Sequence, residues 1–88
     1  MRSPILVHRV DPEYSEEARK ARYSGVVVVY MEIDATGRPC NLRIVKGVGL
    51  GLDEKAIEAV SQWRFKPGLK DGRPVIWSGQ VDCIFHLL

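Results

Sequence analysis

The stretch GVVVVYMEIDATGRPCNLRIV, residues 25–45, reads as two β-strands folded about a turn. Its β-branched run alternates, with Val27, Val29, Met31 and Ile33 on one face and Tyr30, Glu32 and Asp34 on the other. DATGR, residues 34–38, is the turn, and Gly37 supplies the positive φ that a short hairpin loop needs. The returning strand, Pro39 to Val45, is expected to send Cys40, Leu42 and Ile44 inward and Asn41 and Arg43 outward. A hairpin with one apolar face is unstable alone, so the rest of the chain must cover that face.

On the far side of the hairpin, Leu52, Ala56, Ala59, Val60 and Trp63 recur at helical spacing. This predicts an amphipathic helix from Asp53 to Arg64, with Pro67-Gly68 beyond its end. Upstream, Pro12 disfavours helix at Asp11, Ser15 is an N-cap with Glu16 and Glu17 in the first turn, and Gly25 closes the segment. A helix over Glu16–Tyr23 follows. KDGRP, residues 70–74, marks another turn. Val75 to Leu88 alternates again, with Val75, Trp77, Val81, Cys83, Phe85 and Leu87 inward. The order α-β-β-α-β gives an α+β, two-layer sandwich: a three-stranded antiparallel sheet with two helices on one face. Residues 1–88 are expected to be one domain, residues 1–10 being an extended arm and 11–88 the folded core.

The chain has 88 residues, and 13 Arg and Lys against 11 Asp and Glu leave a net charge of +2. Those charges are interspersed, which argues against a nucleic-acid surface. No run approaches the roughly 20 apolar residues of a membrane helix. Cys40 and Cys83 lie 43 apart, a spacing that fits no metal knuckle, and both read as small core hydrophobes, with a disulfide between them the alternative in an oxidising compartment. No cofactor is expected.

Catalytic and ligand-binding patterns fail on physical grounds. KGVGLGLD, residues 46–53, has the strand-to-helix position of a phosphate loop, but no Lys-Ser/Thr pair follows it. Asp53 is placed to take the backbone N–H groups that a phosphate would need, and it would repel an anion. Cys83 and His86, three apart on a strand, point to opposite faces. No paired carboxylates and no serine–histidine arrangement can be assembled. Trp63 completes the helix stripe and belongs to the core, so Arg64 points away from it.

The final strand carries the interaction signal. Its outward face mixes Ile76, Ser78, Gln80, Asp82 and Ile84, and Gly79 leaves a gap where another backbone can approach. A long strand at the edge of a small sheet is a template for strand addition. The competing reading is an edge shielded by the N-terminal arm or by a second copy of the chain.

These residues resemble the TonB C-terminal domain family. The resemblance runs from DPEYSEEA (11–18), with Pro12 and Tyr14, through GVVVVYMEIDATGR (25–38) to LDEKAIEAVSQWRFKPG (52–68) and the closing strand. WRFKPG, with Trp63, Arg64, Phe65 and Pro67, is its most specific piece. The resemblance implies a non-catalytic periplasmic adaptor of an energy transducer, whose parent is anchored in the inner membrane and engages ExbB/ExbD. It further implies capture of the TonB box of outer-membrane transporters, driving uptake of nutrients such as siderophores. The implied contacts are Tyr23, Ser24, Gly25 and Val26, and along the last strand Ile76, Trp77, Ser78, Gly79, Gln80, Val81, Asp82 and Ile84. Two departures stand out: Ser15 follows Tyr14 where the family commonly has proline, and Val26 takes a position that is often polar. The alternatives are a self-associating module that uses the same edge, as a homodimer, and a small nucleic-acid-binding α+β domain.

Overall fold

A computed structural model describes residues 1–86. Its elements are β1 (Ile5–His8), α1 (Glu16–Lys20), β2 (Gly25–Ile33), β3 (Pro39–Lys46), α2 (Leu52–Ser61), β4 (Arg64–Lys66), β5 (Gly68–Lys70), β6 (Arg73–Val75) and β7 (Trp77–Phe85). The expected α+β fold is present: β3, β2 and β7, in that spatial order, form an antiparallel three-stranded sheet. Val27, Val29, Met31 and Ile33 are buried as the alternation requires. Ala18 of α1 and Leu52, Ala56 and Val60 of α2 close over them in one core.

Trp63 lies in that core, and its indole N–H donates to the carbonyl of Val10 at 2.8 Å, tying the N-terminal segment to the end of α2. Arg64 points outward, where its guanidinium donates to the carbonyls of Ser61 and Trp63 at 3.2 and 2.6 Å. A cation there satisfies the negative end of the helix. This closure, and the entry of Arg64 into β4, end α2 at Ser61 rather than at Arg64.

α1 is also shorter than expected, ending at Lys20 instead of Tyr23. Arg22 adopts φ 52°, its N–H donates to Arg19 at 3.1 Å, and the N–H of Tyr23 reaches back to Ala18 at 3.0 Å. This is the left-handed C-terminal closure that usually employs glycine, formed here three residues before Gly25. Ser15 caps the other end as expected, accepting from the N–H of Ala18 at 3.2 Å while its hydroxyl donates to the carbonyl of Leu50.

Four short strands escape the sequence pattern. β1 pairs antiparallel with β4, placing Ile5 opposite Lys66, and β5 pairs with β6 around the two-residue turn Asp71-Gly72. The arm of residues 1–10 is therefore extended but not free: Arg2 also exchanges backbone hydrogen bonds with Leu69 at 2.7 and 2.9 Å. The single strand expected from Val75 is divided, with β6 ending at Val75, Ile76 between, and β7 beginning at Trp77. Leu87 and Leu88 of that segment lie outside the described residues.

One inward assignment is reversed. β3 carries an irregularity between Cys40 and Arg43, opposite Met31, and Asn41 there takes φ 50°. The extra residue flips the parity, so Cys40 pairs with the outward-facing Glu32 and does not join the core.

Candidate functional site

β7 is the last strand of its sheet and pairs with β2 alone among the described residues. Its nine residues run in unbroken register from Trp77, opposite Ile33, to Phe85, opposite Gly25. Ser78, Gln80, Asp82 and Ile84 are exposed, while Cys83 and Phe85 are buried. Ile84 is 66% exposed, and Ile76, just before the strand, 68%. Burial holds the strand in place and pushes the Cys83 thiol pKa up, so this cysteine is a packing group and a poor nucleophile.

The N-terminal arm does not cover this edge, since β1 pairs with β4. The gap expected at Gly79 is also filled. A Cβ on Gly79 would lie 2.4 Å from the far edge of the Trp77 ring, which takes up the space beside this glycine. Trp77 is thus half-buried on the inner side of the sheet and braces β7 from beneath, together with half-buried Val81.

The lead-in residues meet only one end of β7. Gly25 is opposite Phe85 and Val26 opposite Ile84, so Tyr23 to Val26 sit beside the far end of the strand, about 25 Å from Trp77 by strand rise. The Tyr23 ring lies over Gly25. Tyr14 holds this corner: its hydroxyl donates to the Tyr23 carbonyl at 2.8 Å, and its ring meets Phe85 edge-on at 5.6 Å. The conformation of the lead-in segment is fixed by the early motif as well as by its own sequence.

Sequence reasoning missed a polar cluster on the outer face beside β7. The Tyr30 hydroxyl donates to Glu32 at 2.8 Å, Asn41 donates to the other Glu32 oxygen at 2.9 Å, and the Arg43 guanidinium stacks 4.4 Å above the Tyr30 ring. The hydrogen bond from Asn41, with that from Tyr30, lowers the Glu32 pKa, and the bond to Glu32 raises that of Tyr30. Tyr30 and Glu32 stand opposite Gln80 and Ser78, so β7 is flanked by side chains already fixed in place. The outward parity of Tyr30, Glu32 and Arg43 was visible in the sequence; the placement of Asn41 depends on the irregularity in β3.

The glycine loop is occupied from within. The Asp53 carboxylate accepts the N–H groups of Val48 and Gly49 at 2.9 and 3.4 Å, in the loop ahead of the helix rather than in its first turn.

Three comparisons bear on this arrangement. The family model described as Gram-negative bacterial TonB protein C-terminal matches residues 10–87. The chain is 36% identical over 92 residues to Protein TonB of Vibrio cholerae, covering 96% of this chain and 38% of that protein. It is 32% identical over 62 residues to Protein tonB2 of Pseudomonas aeruginosa, covering 69% and 23% respectively. The chain thus spans well under half the length of these relatives. A solution structure of the Pseudomonas aeruginosa TonB C-terminal domain superposes with a TM-score of 0.79 at 22% identity, over 97% of this chain and 87% of that one, a likeness of fold.

Proposed function

The chain belongs to the TonB protein C-terminal family, whose members are non-catalytic parts of energy transducers, and from that membership we propose that β7 captures an extended segment of an outer-membrane transporter. The segment is the transporter's TonB box, and it adds as a further strand along the open edge. The observation that carries this reading is that edge: nine residues in continuous register, paired on one side only among the described residues. Main-chain hydrogen bonds supply affinity, and exposed side chains at alternate positions supply selectivity.

Strand addition also suits the transmission of force. A segment pulled along its own axis loads all the hydrogen bonds of the ladder together, whereas peeling breaks them singly. In this reading the parent protein supplies an inner-membrane anchor and the coupling to ExbB/ExbD, and the domain works in the periplasm. Ile76, Ser78, Gln80, Asp82 and Ile84 line the path, Tyr23 to Val26 lie beside its far end, and Trp77, Gly79 and Val81 support it from the inner face.

Titration of the isotope-labelled chain with a synthetic box peptide tests this. Amide shifts are expected along 76–85 and at 23–26, with β3 unmoved. Shifts scattered over the surface, or concentrated on α2, would overturn the site. Self-association through the same edge predicts instead a mass that doubles with concentration and a peptide that competes with the dimer.

A further inference from the structure

Acids and bases that are interspersed along the chain as a whole are unevenly shared among its elements, and the paired short strands outside the main sheet take mostly bases. Six of the thirteen Arg and Lys residues fall in residues 1–9 and 64–75 with only one acid, Asp71, leaving seven basic against ten acidic for the rest of the chain. Those two segments contain β1, β4, β5 and β6, the paired short strands outside the main sheet. They adjoin the tip of the β2–β3 hairpin, where the N–H of Phe65 donates to the carbonyl of Gly37 at 2.9 Å. Arg9 is committed to Asp11 and the Trp63 ring, and Arg64 to carbonyls at the end of α2. Arg2, Lys66, Lys70 and Arg73 are exposed.

The same ribbons expose aliphatic side chains that the core does not claim. Ile5 is 59% and Val7 55% exposed, and Ile5 stands directly opposite Lys66. Cations interleaved with exposed aliphatic groups fit the boundary between lipid headgroups and acyl chains. A nucleic acid would answer the charge but has no use for aliphatic side chains, and its stacking partners would be aromatic. Of the nearby aromatics, Trp63 is buried and Phe65 half-buried.

We infer that the ribbon formed by residues 1–9 and 64–75 docks on an anionic phospholipid surface, with Lys66, Lys70 and Arg73 on the headgroups and Ile5 and Val7 inserted between them. This surface adjoins the start of the β7 edge without sharing a residue with it, and orients that edge relative to the membrane.

The test is co-sedimentation of the chain with vesicles of phosphatidylglycerol and phosphatidylethanolamine, compared with phosphatidylcholine alone. Binding is expected to the anionic vesicles only. Each of Lys66→Gln and Lys70→Gln should lower the partition about fivefold, and Ile5→Ser with Val7→Ser about tenfold or more. Lys55→Gln, on α2, should leave it unchanged, and circular dichroism establishes that each variant is folded. Equal binding to both kinds of vesicle, or to neither, overturns the inference. So does a serine variant that binds like the parent while duplex DNA competes, since the ribbon would then be a general polyanion site. Box-peptide binding by the ribbon variants should be unaltered, which separates this result from the proposal for β7.

Discussion

Gly37 is the residue on which the hairpin tip and the short-strand region meet. It holds φ 89°, and a Cβ there would fall 1.9 Å from the backbone carbonyl oxygen of Phe65. That oxygen belongs to β4 and cannot rotate aside, so Gly37→Ala must separate the two backbones. A loss of roughly 2–4 kcal/mol is expected in urea unfolding, from strain at positive φ together with the broken contact. Nearby, Asp34 accepts from Thr36 and Arg38, and its pKa is lowered chiefly by the Thr36 hydroxyl; that of Glu32 is lowered first by Asn41. A carboxylate whose pKa falls on folding stabilises the fold above its unfolded value and loses that contribution as pH drops through the folded value. Stability should therefore be level near neutrality and decline below about pH 4, the ordinary carboxylate range. Asp34→Asn should flatten this acid limb in denaturation curves measured from pH 7 to pH 2.

At the scale of elements, α1 shows a closure that glycine would serve better. Arg22 is exposed and held at φ 52°, so Arg22→Gly relieves left-handed strain and should raise stability by roughly 0.5 kcal/mol, read as a shift in the urea midpoint. The element pattern also explains what was legible beforehand. The hairpin, the α2 stripe and the Ser15 cap were readable because each rests on a periodicity or a local hydrogen bond. β1, β4, β5 and β6 were not, because three- and four-residue strands interrupted by Pro67 and Pro74 have no period to detect. Cys40 was misplaced because the irregularity at Asn41 shifts the parity without any signature in composition. Gly79 was read as open space, yet it is the seat of Trp77, a contact between positions i and i+2 that alternation places on one face but cannot show to be filled.

Taken whole, the molecule is an elongated body, 49 × 21 × 15 Å, with a basic, aliphatic ribbon at one end and an open strand running from that end to the Tyr23 corner. The open edge was legible in the sequence as a long terminal strand; that the N-terminal arm leaves it uncovered was not, because the partner of β1 is the unforeseen β4. A transporter segment lying along β7 as a strand must alternate its side chains, and alternation is the property that distinguishes a strand from any other bound conformation. Disulfide capture measures it directly. With Gln80→Cys in a Cys40→Ser background, box peptides carrying one cysteine at successive positions are oxidised with the chain and the cross-linked yield is compared. Strand addition predicts yields that rise and fall with a period of two residues, and a maximum that moves two peptide positions when the cysteine is placed at residue 82 instead of 80. Yields independent of peptide position, or a maximum that stays fixed when the cysteine is moved, would contradict it.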